Sequence, residues 1–140
     1  MTDSLLLHAS CVAVAGRGVL ILGPSGAGKS ALALQLMALG GDLVADDQTE
    51  VRLENASLIA RCPPTIHGLI EARGVGILRA AALAETTLAL AVDLGQTETD
   101  RLPPRRSLTL FDYALDLVFG SRSSHFPSAL LCYLKGARQQ

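Results

Sequence analysis

Apolar positions along the chain fall in short blocks separated by glycine, proline and polar clusters. Val, Leu and Ile crowd residues 5–14 and 18–22, alternating in places, with Gly16-Arg17-Gly18 between the blocks. This predicts two strands joined by a tight turn. "KSALALQLMALGG" predicts a helix from Lys29 to Leu39, stopped by Gly40-Gly41. It is apolar on nearly every face and is expected to be buried on several sides. "DLVA" reads as a short buried strand ending in Asp46-Asp47. "QTEVRLENASLIARCP" reads as a hairpin with its turn at Asn55-Ala56, closed off by Pro63-Pro64. From Thr65 to Leu78, loop chemistry stands beside strand chemistry. "TTLALAVDLG" is a further strand and "TETDRLPPRRS" a polar loop. "LTLFDYALDLVF" suits strand or helix, its first half favouring strand. The last segment predicts a terminal helix from Pro127, with Ser124 or His125 near its start. No internal repeat is visible, and residues 1–140 read as one α/β domain.

Composition narrows the class. Apolar residues make up 49% and charged residues 18%, with a net charge of −1. That suits a globular chain and leaves no basic stripe for nucleic acid. Arg101, Arg105 and Arg106 form a short basic cluster that reads as a solvated loop. Cys11, Cys62 and Cys132 have neither the count nor the spacing of a disulfide framework or zinc site, and read as buried or half-buried side chains. The N-terminus lacks a basic segment before its three-residue apolar run, and no apolar run approaches the ~20 residues of a membrane span. A cytoplasmic protein with no membrane partner is expected.

"GPSGAGKS", residues 23–30, carries the chemistry. Gly23, Gly28, Lys29 and Ser30 fit the phosphate-loop spacing, and Pro24, Ser25, Gly26 and Ala27 complete the loop. Strand before and helix after are the context it requires: the glycines let backbone N–H groups turn inward to phosphate oxygens, and the helix N-terminus adds positive character. Lys29 reaches the β- and γ-phosphates, and Ser30 presents a hydroxyl to Mg²⁺. A right-handed crossover through the helix puts "DLVA" parallel to the loop strand and brings Asp46 and Asp47 to the phosphates. One carboxylate suits Mg²⁺ and the other a proton from an attacking hydroxyl. Asp93 is a rival metal ligand, although Leu94-Gly95 after it looks like a strand ending in a turn. His8, alone on an apolar strand, reads as structural. Glu71 and Arg73, two apart on a strand, read as a surface ion pair.

Three stretches together resemble the catalytic domain of the HPr kinase/phosphorylase family: "GPSGAGKS" followed by "LVADD", His8 before the loop, and "GLIEARGVGIL" at residues 68–78. The resemblance covers residues 5–103. It implies a phosphate-loop nucleotide-binding fold related to phosphoenolpyruvate carboxykinase, with a mixed central sheet and a buried loop helix. It implies an ATP- and Mg²⁺-dependent serine protein kinase acting on HPr, a phosphocarrier protein, and a homo-oligomer, since the family is hexameric. Carried over, Asp46 is the general base, tuned by His8 beside it. Asp47, Ser30 and Glu71 serve the Mg²⁺. Lys29, Arg73 and Arg101 complete the site. A short form of the alphaproteobacterial type, without the N-terminal domain of full-length members, is expected. The chain also has a short segment before "DRLP" and no clear counterpart of a later glycine-arginine-asparagine stretch. Kinase chemistry is therefore expected to dominate over phosphorolysis. Two other readings stand beside it: a small-molecule kinase with "RLPPRR" as an arginine lid, and a nucleotide-binding regulator without turnover.

Overall fold

In the computed structural model, which describes residues 3–140, a long strand, β9 (Glu85–Thr97), runs through the middle of a mixed sheet. Met1 and Thr2, the start of the expected domain, lie outside the described residues. One edge of β9 pairs parallel with β3 (Arg17–Leu22). The other edge is shared: β6 (Ser57–Arg61) pairs antiparallel with its first residues, and β11 (Tyr113–Gly120) pairs parallel from Ala91 onward. Its 13 residues make room for both neighbours. Past β3 lie β2 (Ala9–Val14) and β4 (Asp42–Ala45). Past β6 lie β5 (Thr49–Glu54) and β1 (Ser4–Leu7), and β10 (Arg106–Leu110) flanks β11. Separately, β7 (Leu69–Ala72) and β8 (Gly76–Arg79) form a two-stranded hairpin.

Both faces of the sheet are covered, which explains why all six residues of β2 are buried. Val12 and Val14 face helices α1 (Lys29–Ala38) and α2 (Phe126–Gly136), packing with Leu32, Leu36, Leu130 and Leu134. Ala9, Cys11 and Ala13 face the other way, against Val51, Leu58, Ala60 and Leu115. These last four come from β5, β6 and β11, so the sheet curls and packs on itself. The α/β class and mixed sheet agree with the sequence reading.

Local details differ. The first turn is Ala15-Gly16, both with positive φ, and Arg17 and Gly18 already belong to β3. Two such residues match the right-handed twist of a hairpin. The same geometry recurs at Asn55-Ala56, as expected, and at Phe111-Asp112, where it resolves "LTLFDYALDLVF" as a hairpin. Helix α1 buries one face, not several. Lys29, Leu32, Ala33 and Leu36 are buried, while Ala31, Gln35 and Ala38 are exposed, because the sheet and α2 cover only part of its circumference. It ends as expected: Gly41 N–H donates to Leu36 O (2.9 Å) and Gly40 N–H to Met37 O (3.0 Å). β4 is parallel to β3 but not adjacent, since β2 lies between and runs antiparallel to both.

Candidate active site

Leu22 at the end of β3 leads directly into the phosphate loop. Gly23 has φ 151°, and a Cβ there would stand 3.2 Å from the Cβ atoms of Ala27 and Leu94. Gly28, with φ 101°, is the N-cap of α1, which has no side-chain cap and no acidic residue in its first turn. The first N–H groups of the helix are therefore left for an anion. Lys29 is buried and folds back over the loop, its Nζ donating to Gly23 O (2.8 Å) and Pro24 O (3.2 Å).

Asp46 leaves the end of β4 beside Ser30. Only 7% exposed, its carboxylate accepts three hydrogen bonds: from Ser10 Oγ (2.8 Å) and Ser30 Oγ (2.7 Å) on Oδ1, and from the Glu71 N–H (3.0 Å) on Oδ2. Those donors offset the cost of burying a charge. Asp47, the next residue, has φ 70° and turns away. Its N–H donates to Ser10 Oγ (3.2 Å), and its Oδ1 lies 2.5 Å from His8 Nε2. A carboxylate can only accept, so Nε2 carries the hydrogen. Both side chains are open to solvent, 63% for Asp47 and 49% for His8. His8 was expected beside Asp46; the geometry pairs it with Asp47 instead. The positive φ sends the two carboxylates in different directions, one inward to Ser30 and one outward to His8.

Ser10 escaped the sequence reading. It is fully buried and bonds to both aspartates. A lone hydroxyl inside the apolar strand "ASCVAV" was the available signal. Glu71 reaches the site through its backbone, with its side chain exposed on β7. Arg73 follows in the β7–β8 turn, and among the described residues it forms no ion pair with Glu71. Arg101 is exposed in the loop after β9, and among the described residues no hydrogen bond joins it to the phosphate loop. Asp93 Oδ1 accepts the Gly95 N–H (2.8 Å), the expected strand-end turn. Cys11 and Cys62 are buried, and burial pushes both thiols up; Cys132 is exposed on α2, against expectation.

Ser30 and Asp46 present hard oxygen atoms beside the phosphate loop. Among the described residues no three His, Cys, Asp or Glu side chains group to hold a metal by themselves. Mg²⁺ does not require them, since it takes one or two carboxylates together with phosphate oxygens and water. The donor set therefore fits Mg²⁺ carried on a polyphosphate.

The model of the HPr Serine kinase C-terminal domain matches residues 1–103. The chain belongs to this family. It is 41% identical over 119 residues to the HPr kinase/phosphorylase of Aromatoleum aromaticum, covering 76% of this chain and 38% of that protein. It is 49% identical over 78 residues to HPr kinase/phosphorylase 1 of Oceanobacillus iheyensis, covering 55% of this chain and 25% of that one. The chain thus spans well under half the length of these curated relatives. The solved Hpr(Ser) kinase/phosphatase of Coxiella burnetii shares its fold with a TM-score of 0.79 at 23% identity, covering 94% of this chain and 88% of that chain. No helix among the described residues is long and apolar enough to cross a membrane.

Proposed function

We propose that this HPr serine kinase domain transfers the γ-phosphoryl group of ATP to a seryl hydroxyl of HPr or a related phosphocarrier. The observation that carries the reading is the division between two adjacent carboxylates. Asp46 is buried and tied to the loop serine; Asp47 is exposed and held by His8. In this reading Asp47 is the base and Asp46 the Mg²⁺ ligand, the reverse of the roles the family resemblance implies. Asp47 is the group a protein substrate can reach, so it takes the hydroxyl proton while the serine oxygen bonds to the γ-phosphorus and ADP leaves. His8 orients it. Asp46 and Ser30 are the residues that would hold Mg²⁺, with Glu71 nearby on β7. The ion supplies neutralisation of phosphate charge. Lys29 and the loop N–H groups hold the phosphates in line.

Two observations favour the forward direction. Arg105 donates to the carbonyls of Arg138 (3.3 Å) and Gln139 (3.2 Å). Arg106 pairs with Glu98 and stacks 4.0 Å over Phe119. Two of the three arginines in that segment are thus engaged within the fold, which disfavours a second anion cradle there and an arginine lid over a small substrate. Labelled ATP, Mg²⁺ and purified HPr test the function: phosphoserine should form. Phosphoserine-HPr incubated with millimolar phosphate should release pyrophosphate far more slowly. Transfer to a small molecule and none to any phosphocarrier would sink the proposal.

A further inference from the structure

A cleft of about 300 Å³ adjoins the phosphate loop at Ala27 and Gly28 and belongs to the site already described. It lies between α1 and the connection from β11 to α2, which carries the exposed Arg122. A second cleft, of about 340 Å³, opens at the other end of the sheet. β3 runs six residues from there to the loop, roughly 20 Å, so groups reacting at the loop do not reach it.

This second cleft lies where the sheet forks. β6 pairs with β9 as far as Thr87, and β11 joins the same edge only at Ala91. On the opposite edge the pairing with β3 skips from Leu88 to Leu90. Ala89 therefore has no register partner on either side, and it lines the cleft. A bulge of this kind takes backbone groups out of the ladder. Two side chains of opposite charge also line the cleft, Arg17 and Asp116. They do not meet, and among the described residues neither forms an ion pair. Each is anchored separately. Arg17 opens β3, half-buried beside Thr87. Asp116, on β11, accepts a hydrogen bond from the Tyr133 hydroxyl of α2 (2.7 Å). Burial and this carboxylate push the Tyr133 hydroxyl up to about 12, so it stays a donor at neutral pH.

We propose that this cleft binds a free α-amino acid. An arginine and an aspartate that share a cleft without meeting leave room for a ligand that carries the complementary pair of charges. The ligand's carboxylate meets the planar guanidinium of Arg17, which suits two parallel hydrogen bonds. Its ammonium meets Asp116, whose lone pairs exceed the single tyrosine bond. A phosphate ester or a dicarboxylate would meet Arg17 and be repelled by Asp116, and a polyamine would meet the reverse. The volume stands at the low end for small-molecule sites, roughly 300–1,000 Å³, as a ligand of amino-acid size requires. The site is independent of the phosphate-loop chemistry.

Thermal unfolding of the unmodified chain with each standard amino acid at millimolar concentration tests it, followed by calorimetric titration of the strongest stabiliser. At least one amino acid should bind saturably. Its N-acetyl derivative, which lacks the ammonium, and its decarboxylated amine should each bind about tenfold weaker or more. Asp116→Asn, which keeps an acceptor for Tyr133, and Arg17→Gln should each cost a similar factor. Absence of saturable binding by every amino acid overturns the proposal. So does equal binding of the N-acetyl derivative or the amine, or an affinity untouched by both variants. Displacement of the amino acid by Mg-ATP would put it at the loop and overturn the assignment as well. The two derivatives probe the unmodified chain, so the test holds even where a variant fails to fold.

Discussion

The two sides of the phosphate loop are built differently. On the carboxylate side, Ser10, Ser30, Asp46, Asp47 and His8 come from three separate stretches and are cross-linked by side-chain hydrogen bonds spanning 16 to 39 residues. On the cleft side, the side-chain hydrogen bonds are local, Ser121 to Ser123 to His125 and Asp93 to Gly95. Long-range cross-links hold reacting groups in one geometry before substrate arrives, which is what positioning catalysis needs. Local bracing with an exposed arginine shapes a wall and leaves room to adjust. The difference separates a side fixed by long-range cross-links from a side braced by local bonds.

Lys29 stands where the sides meet, so its removal should have the largest effect. Its ammonium is held in place by two loop carbonyls and is buried. Lys29→Ala is expected to abolish transfer and to weaken ATP binding at the same time. Normal turnover with unchanged ATP affinity would break the comparison at its root, since neither side would then share a phosphate site.

The next effect belongs to the carboxylate side alone. Asp47→Asn should keep ATP affinity and lose transfer by about 10²–10⁴-fold, the usual contribution of a general base. His8→Ala should follow in the same direction with a smaller loss, because it orients Asp47 without taking the proton. Initial rates at saturating Mg²⁺ decide. If Asp47→Asn transfers at the normal rate and Asp46→Asn does not, the buried aspartate is the base after all.

How far this was legible in the sequence follows from which interactions are local. The loop, α1, its glycine stop and the strand leading to Asp46-Asp47 follow from neighbours within a few residues, and all stand where the pattern puts them. The Asn55-Ala56 turn is legible because asparagine tolerates positive φ; the Phe111-Asp112 turn uses the same geometry but opens on an aromatic residue, which leaves Asp112 as its one sign. The His8–Asp47 pair was not legible. It depends on antiparallel pairing of β2 with β4, on a register shift between Cys11 and Val12, and on the left-handed backbone of Asp47. Two adjacent aspartates look equivalent in a string of letters. A 39-residue separation and one backbone torsion make them different.

Asp46→Asn tests the buried half of that difference through stability. An amide keeps one acceptor oxygen and replaces the other with a donor: nitrogen in place of Oδ2 strands the Glu71 N–H, nitrogen in place of Oδ1 takes the acceptor from both Ser10 and Ser30, and either way the remaining bonds lose their charge assistance. An unsatisfied buried group costs about 1–3 kcal/mol. Denaturant unfolding should show that loss. Hydrogen exchange at the Glu71 amide should quicken, because that bond ties the β7–β8 hairpin to the site. Unchanged stability together with a protected Glu71 amide would mean that Asp46 is not the cross-link described.

The smallest expected effect is at Ser10, and it is the most specific to the comparison. The residue is fully buried, touches no substrate, and bonds to both aspartates: its hydroxyl donates to Asp46 and accepts the Asp47 N–H. In Ser10→Ala, Asp46 keeps two donors while the Asp47 N–H loses this acceptor. The loss should be about 1 kcal/mol, lowering the melting temperature by roughly 4 °C. The left-handed backbone at Asp47 is then held less firmly, so turnover should fall with the KM for ATP unchanged. A double-mutant cycle separates positioning from simple destabilisation. If Ser10 acts through Asp47, then Ser10→Ala should cost little further turnover in the Asp47→Asn background. Full additivity of the two rate losses would show that Ser10 supports the strand and not the carboxylate, and the carboxylate side would be less tightly cross-linked than its hydrogen bonds suggest.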